Sequence, residues 1–74
     1  MEIHTTKETN RLDIEIVADG ICFGICADSY TAQDGTIHIN SDSINTIGFE
    51  DSTFAKEEII QELEKNHNVK VHRK

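Results

Sequence analysis

The 74-residue sequence contains no proline and no tryptophan, and it has only four glycines and two cysteines. A chain without proline and with so little glycine is unlike a linker or a disordered segment. Two cysteines are too few for the disulfide framework of a small secreted protein. The sequence also lacks the apolar run of a signal peptide and any stretch near the ~20 apolar residues of a membrane span. We therefore expect one small domain, residues 1–74, in the cytoplasm with reduced thiols and no membrane association.

Basic residues are also scarce, and they are unevenly placed. The chain has 7 Lys and Arg against 14 Asp and Glu, which gives a formal charge of −7. All of the acidic residues lie in residues 1–64, whereas Lys65, Lys70, Arg73 and Lys74 form a basic end that could pair with the acidic body. Binding to nucleic acid needs cations that displace counterions from phosphates. The charge therefore predicts no direct nucleic-acid binding and favours a protein partner with a basic surface.

The segment 11–27 carries the clearest structural signal. Its apolar residues alternate with polar ones, a period of two that is typical of half-buried strands. Asp19-Gly20 favours a two-residue hairpin turn, because such turns need positive φ. That turn pairs Ala18 with Ile21 and brings a set of apolar residues to one face of the hairpin. They are Leu12, Ile14, Ile16, Ala18, Ile21, Phe23, Ile25 and Ala27.

Further strands are predicted on both sides of this hairpin. A three-residue loop at 33–35, with Gly35 in a bulge, would pair Thr31 with Ile37 and Ser29 with Ile39. A four-residue loop at 7–10 would pair Ile3 with Ile14 and Thr5 with Leu12. The segment 40–43 is predicted as a turn, 44–49 as a short fourth strand and 69–74 as a last edge strand.

Residues 51–68 have the periodicity of a helix. Ser52 or Thr53 could cap its N-terminus, and Asn66 or Asn68 could end it in the left-handed conformation. The fold class predicted is α+β, an antiparallel β-meander of about four to five strands with one α-helix packed on one face. The apolar stripe of the helix consists of Phe54, Ala55, Ile59, Ile60 and Leu63.

The helix leaves one face of the sheet open, and both cysteines are predicted on that face. Cys22 and Cys26 flank Gly24 on one strand, so their Cα atoms are about 13 Å apart. A disulfide needs Cα atoms within about 7 Å, and one zinc ion binds sulfur at about 2.3 Å. The two cysteines can therefore neither form a disulfide with each other nor share a zinc ion.

A row of residues across the strands is the sharper metal hypothesis. If both flanking hairpins hold, His4, Asp13, Cys26 and Asp42 lie side by side, about 4.8 Å apart from strand to strand. Imidazole, carboxylate and thiolate are all zinc ligands. The alternative is an ordinary solvated face in which Cys26 is a small apolar residue, and we favour that interpretation. His67 and His72 are expected to be surface residues beside the last strand, so the sequence predicts neither a metal site nor a cofactor.

Catalytic arrangements have weaker support. Cys22 or Cys26 with His38 could supply a nucleophile and a base, but a flat strand face offers no cleft that excludes water. Asp13 and Glu15 share a face with nothing apolar nearby to raise the pKa of a carboxyl. The chain also has no P-loop, no dinucleotide fingerprint and no His-Glu-x-x-His motif. We therefore expect a protein that is not an enzyme.

Candidate partner-binding residues lie on the open sheet face and on the outer side of the helix. On the helix, Glu58 and Glu62 are like charges four residues apart, a mildly unfavourable arrangement. Such tolerated repulsion is typical of functional surfaces, although most acidic runs are simply solvated. The candidates are Asp13, Glu15, Cys22, Gly24, Cys26, Asp28 and Tyr30 on the sheet, and Glu57, Glu58 and Glu62 on the helix.

These features favour a small binding protein that occupies a basic surface on another protein. Such a protein could act as a stoichiometric inhibitor, and in the extreme case it would imitate the negative charge of a nucleic acid. The plan of an acidic meander with one helix is similar to that of some small phage inhibitors of bacterial defence systems, including anti-CRISPR proteins. That similarity of plan, which rests on no shared motif, makes an anti-defence inhibitor the favoured interpretation.

The alternative is a self-associating protein. The patch formed by Val17, the two cysteines, Gly24 and Tyr30 is partly apolar, so two copies could pack through it. An edge strand could also pair across a two-fold axis, and a core this small gains from oligomerisation. A small metal or redox protein remains a third possibility.

Overall fold

The computed structural model describes residues 1–73. They form a six-stranded sheet and one α-helix, which together make the predicted α+β meander with a helix packed on one face. The strands are β1 (Glu2–Lys7), β2 (Arg11–Ala18), β3 (Ile21–Thr31), β4 (Ile37–Asn40), β5 (Asn45–Ile47) and β6 (Val69–His72), and the helix is α1 (Lys56–Asn66). Lys74, the last residue of the basic end, lies outside the described residues. Within residues 1–73, no helix is long and apolar enough to cross a membrane.

The β2–β3 hairpin has the predicted register. Asp19 and Gly20 both have positive φ, 53° and 77°, as a primed two-residue turn requires. Ala18 therefore pairs with Ile21, and the pairs continue to Arg11 opposite Asp28. The predicted apolar face is the core face of the sheet, where all of its residues are buried except the partly buried Ile21.

The β3–β4 connection is also confirmed. The N–H of Ala32 donates to the carbonyl of Thr36 at 2.9 Å, which leaves a three-residue loop, and Gly35 has a φ of 89°. Thr31 consequently pairs with Ile37. This loop length keeps Ile39 on the core face of the sheet, where its side chain is buried.

The predicted register of β1 is wrong by two residues. Ile3 pairs with Ile16 rather than Ile14, because the turn is shorter than expected. The N–H of Glu8 donates to the carbonyl of Arg11 at 2.8 Å, which closes a turn around only two central residues. A shift of two residues keeps every side chain on its face, so the alternation of polar and apolar residues could not distinguish the two registers.

The fourth predicted strand does not extend the meander beyond β4. A short 3-10 turn, Ser41–Ser43, is capped by the side chain of Asn40 and lets the chain continue in the same direction. The next strand, β5, therefore pairs with the first half of β3, while β4 pairs with its second half. The last strand, β6, is an edge strand as predicted, and it lies parallel to β4.

The helix begins later than predicted, at Lys56. The prediction that Ser52 or Thr53 is the N-cap is therefore wrong, and the Ser52 hydroxyl accepts instead from the N–H of Phe54, before the helix. The N-cap of the helix is Ala55, whose N–H donates to the Glu58 side chain, one half of a capping box. Asn68, with a φ of 55°, ends the helical region in the left-handed conformation, as one of the two predictions had it.

The core lies between the helix and the inner face of the sheet. Ile59, Ile60 and Leu63 of α1 are at most 2% exposed. Phe54 precedes the helix instead of lying within it, and its ring lies 6.2 Å from that of Phe23. Ala55 of the predicted stripe is exposed. This packing leaves the opposite face of the sheet uncovered within residues 1–73.

Candidate functional site

The uncovered face of the sheet, here called the outer face, contains most of the candidate residues. The register places Asp13, Glu15 and Val17 of β2 on it. Along β3, Cys22, Gly24, Cys26, Asp28 and Tyr30 alternate with buried residues and point to the same side. Both cysteines are free thiols on one strand, as predicted.

The centre of the outer face is a shallow groove of about 300 Å³, here called the central groove. Asp13 and Glu15 line one side of it, and Cys22, Gly24 and Cys26 line the middle. Ile47 of β5 lines the groove as well and is 62% exposed. Sequence reasoning missed Ile47, because its position depends on the return of β5 to β3.

Gly24 is required by the close approach of two strands. A Cβ atom added at this position would lie 2.7 Å from the carbonyl oxygen of Ile14 on the neighbouring strand. Real Cβ atoms essentially never come so close to a backbone atom, so any side chain at Gly24 would displace the strand. The absence of a side chain here also contributes to the depth of the central groove.

The acidic residues of the outer face differ in their partners. Arg11 donates to Asp13 at 2.8 Å, and this hydrogen bond raises the pKa of the Arg11 guanidinium. Among residues 1–73, Glu15 and Asp28 have no ion pair or side-chain hydrogen bond to their carboxylates. These two carboxylates are therefore available to a cationic partner.

The acidic residues of the helix are already engaged. Arg73 of the basic end pairs with Glu57 at 3.0 Å and with Glu64 at 3.7 Å, and the hydrogen bond to Glu57 raises the pKa of its guanidinium. Glu58 accepts from the backbone at the start of the helix. Glu62 accepts from the Asn66 side chain at 2.7 Å.

The ten candidate partner-binding residues thus lie on two opposite layers of the molecule. The sheet candidates are on the outer face, and the helix candidates are on the layer that covers the inner face. One compact partner surface could contact only one of the two sets. The internal partners of the helix glutamates favour the outer face.

The predicted row of metal ligands does not form. Because β1 is shifted by two residues, His4 lies opposite Glu15 instead of Asp13. On the other side, Cys26 pairs with Asn45 of β5, and Asp42 belongs to the 3-10 turn. Within the described part of the chain, no group of three or more His, Cys, Asp or Glu side chains could hold a metal ion.

A second feature of the outer face was not predicted. Tyr30, His38 and His72 form a row across three strands, here called the Tyr–His–His row. The rings of Tyr30 and His38 stack with centroids 4.7 Å apart and planes 4° apart. Nδ1 of His38 lies 2.7 Å from Nε2 of His72. The register of the β3–β4 hairpin sets Tyr30 opposite His38, and His72 joins them only because β6 pairs with β4.

The geometry of the two imidazoles is an edge-to-edge contact. Their planes are 19° apart and their centroids 5.0 Å apart, while the two facing nitrogens are within hydrogen-bond distance. His38 therefore bonds to His72 and to neither cysteine. The row borders a larger concavity of about 750 Å³ that Asp28, Asn40 and Arg73 also line.

The chain was compared with protein-family models, with curated proteins and with solved structures, and none of the three comparisons found a match. Its function is therefore argued from its own residues.

Proposed function

We propose that this protein is a small acidic binding protein that docks on a basic surface of a partner protein through the outer face of its sheet. The observation that carries the proposal is the contrast between the two acidic surfaces. Glu15 and Asp28 have no cationic partner among residues 1–73, whereas Glu57 and Glu64 of the helix both pair with Arg73. Carboxylates without internal partners that share one face with an apolar groove can steer and orient a complex on a basic surface.

The central groove supplies the apolar part of such a contact. Interfaces combine an apolar centre with a polar, charged rim. Ile47 and Cys22 are exposed beside the groove, and the carboxylates of Asp13 and Glu15 border it. A basic partner could place an apolar side chain on Ile47 and cationic side chains on the acidic border.

The favoured biological role is that of a stoichiometric inhibitor of a bacterial defence system, of the anti-CRISPR kind. The support is the small size, the charge of −7 and the acidic α+β meander. Proteins that handle nucleic acid carry basic surfaces, and an acidic protein can occupy such a surface. We further propose that the protein acts in the cytoplasm, without an enzymatic activity and without direct contact to nucleic acid.

Charge reversal tests the docking surface. The variant Glu15→Lys/Asp28→Lys changes the outer face. The variant Glu50→Lys/Asp51→Lys makes the same change of charge in a second 3-10 turn, Phe49–Asp51, which precedes the helix. Affinity capture from bacterial lysates, at low and high salt, would compare both variants with the native chain. We expect the first variant to lose the partner and the second to retain it, with less capture at high salt.

Two results would contradict this proposal. Equal capture by Glu15→Lys/Asp28→Lys and the native chain would remove the outer face from the contact. Capture that is insensitive to salt would remove the electrostatic mechanism. For the inhibitor role, the assay is protection of phage or plasmid from a defence system in cells, with the same pair of variants.

Self-association through the outer face is the second candidate function. The exposed side chains of Ile47 and Tyr30, 62% and 56% exposed, favour it. The edge strand β1 also has one unpaired side within the described sheet, which could pair with a second copy. The two functions are compatible, because a dimer could dock on the partner.

A further inference from the structure

We propose that His38 and His72 form a binding site for a divalent transition-metal ion, and that Tyr30 is its positioning residue. The primary observation is that Nδ1 of His38 and Nε2 of His72 face each other at 2.7 Å. Imidazole nitrogen is the commonest protein ligand for zinc, copper and nickel. Two nitrogens of this type thus already face each other across the gap between β4 and β6.

The change needed to admit an ion is small. Zinc binds nitrogen at 2.0–2.1 Å, so two nitrogens on one tetrahedral ion are about 3.3 Å apart. The facing nitrogens would have to separate by about 0.6 Å, which a modest rotation of both rings provides. In the hydrogen bond, one imidazole donates its N–H to the other. When the ion binds, the donor ring releases this proton to water and takes up a proton on its other nitrogen, so that both facing nitrogens offer lone pairs to the ion.

The backbone holds the two histidines in place. His38 is on β4 and His72 is on β6, and the parallel ladder pairs His38 with Lys70 and Asn40 with His72. Between them, Ile39 and Val71 are paired and buried in the core, 2% and 8% exposed. Sites on strands anchored in this way keep their geometry better than sites on loops.

Tyr30 fixes the orientation of the first imidazole. Its ring covers that of His38 with planes 4° apart. A ring held by stacking loses less freedom when it binds an ion, and this favours binding. Tyr30 would act through His38 and not as a ligand, which is why we describe it as a positioning residue.

The surroundings carry both signs of charge, since Lys70 is paired with His38 on the ladder while a carboxylate lies on the other side of the site. The carboxylate of Asp28 lines the same concavity and has no ion pair among residues 1–73. Arg73, which lines the concavity too, pairs with Glu57 and Glu64 of the helix. The formal charge of −7 attracts divalent ions in general.

The donor set defines the class of ion. Two nitrogen ligands suit copper, nickel and zinc in their divalent forms, with copper the tightest, and do not suit calcium or magnesium, which prefer oxygen. The remaining coordination positions would open to the concavity and take water. Binding should therefore be weaker than in a closed four-ligand zinc site.

The test is a calorimetric titration of the full chain with Ni²⁺, with Ca²⁺ as the control ion. We expect saturable 1:1 binding of Ni²⁺, at least tenfold weaker in both His38→Gln and His72→Gln. His4→Gln is the matched control, because His4 is also an exposed histidine of the outer face. It should bind like the native chain. Binding that is unchanged in either His38→Gln or His72→Gln, or no saturable binding at all, would overturn the proposal.

Two further measurements separate a ligand role from a structural one. The double variant Cys22→Ser/Cys26→Ser should keep the site, and loss of binding in it would assign the ion to the thiols instead. In ¹⁵N NMR of the native chain, Zn²⁺ should shift the imidazole nitrogens of His38 and His72 and leave those of His4 and His67 unchanged. This readout needs no variant, so it decides the matter even if a substitution unfolds the protein.

Variants of Tyr30 test its positioning role. Tyr30→Phe keeps the stacked ring and should keep native affinity for Ni²⁺, whereas Tyr30→Leu should weaken binding several-fold. In both variants, the Zn²⁺-induced shifts should still appear at His38 and His72. Equal affinity in Tyr30→Leu and the native chain would show that Tyr30 does not position the site.

Discussion

The carbonyl oxygen of Ile14 lies only 2.7 Å from the position that a Cβ atom on Gly24 would occupy. The two residues are on adjacent strands at the centre of the sheet, where Glu15 pairs with Gly24. Gly24 thus has a structural reason to be glycine, independent of any partner. A bulky substitution at Gly24 would disturb the sheet itself and could not serve as a clean test of the central groove.

Replacement of Gly24 by alanine should destabilise the protein. The added methyl group must displace the backbone of Ile14, and overpacking of this kind costs about 1–3 kcal/mol. Urea unfolding would measure the loss. Cys22→Ala, on the same strand and face but exposed, is the matched control and should stay within about 0.5 kcal/mol of the native chain. Native stability in Gly24→Ala would show that the sheet adapts without strain.

Asn68 should tolerate glycine better than alanine. Its φ of 55° is in the left-handed region, and its side-chain amide donates to the carbonyl of Gly35 at 3.1 Å. Alanine loses the hydrogen bond and adds about 1 kcal/mol of backbone strain, whereas glycine loses only the hydrogen bond. Thermal unfolding of the two variants would compare them. Equal unfolding midpoints for Asn68→Gly and Asn68→Ala would mean that backbone strain at this position does not affect the stability of the protein.

Asp34 should make the stability depend on pH in the acid range. Its carboxylate accepts hydrogen bonds from Thr36, first of all from the backbone N–H at 2.9 Å, and these lower the pKa of Asp34 below its usual value. A carboxyl with a lowered folded-state pKa stabilises the fold above its unfolded-state pKa, and the effect is lost as pH falls through the folded-state pKa.

The variant Asp34→Asn keeps an oxygen acceptor but has no charge to titrate. Compared with the native chain, it should be less stable near neutral pH and equally stable in strong acid. Urea unfolding at a series of pH values would measure the difference. A difference that does not change with pH would show that the charge of Asp34 does not contribute.

Self-association can be distinguished from docking by its response to salt. Two acidic copies repel each other, so salt should strengthen a dimer and weaken docking on a basic partner. Ile47→Asp should abolish a dimer formed through the outer face. Thr46→Asp is the control, because Thr46 is an exposed neighbour that pairs with Ile25 of the core face. Sedimentation velocity would measure both, and a native monomer at high micromolar concentration would contradict self-association.

The central hairpin could be predicted from local signals alone. The alternation along β2 and the Asp19-Gly20 turn determine both the strands and the register, because a slip of one residue would expose the whole apolar set. The same argument holds for the loop that ends at Gly35. For β1 the alternation does not determine the register, because a slip of two residues keeps every side chain on the same face of the sheet. There, only the length of the turn sets which residues pair. The start of the helix was missed because Phe54 and Ala55 fit the apolar stripe of a longer helix. In the structure the helix starts at Lys56, and Phe54 lies before it with its ring near that of Phe23.

The sequence by itself determined the acidic charge, the core of the hairpin and the face on which both cysteines lie. Only the tertiary structure decided what surrounds them. The parallel pairing of β6 with β4 brings His72 to His38 from 34 residues away, and the return of β5 to β3 places Ile47 beside Gly24. Pairings between distant segments leave no periodic pattern in the local sequence. They depend on the direction and length of the helix and loops that connect the strands. For the same reason, only the fold could show that Arg73 pairs with Glu57 and Glu64, while Glu15 and Asp28 have no ion pair among residues 1–73.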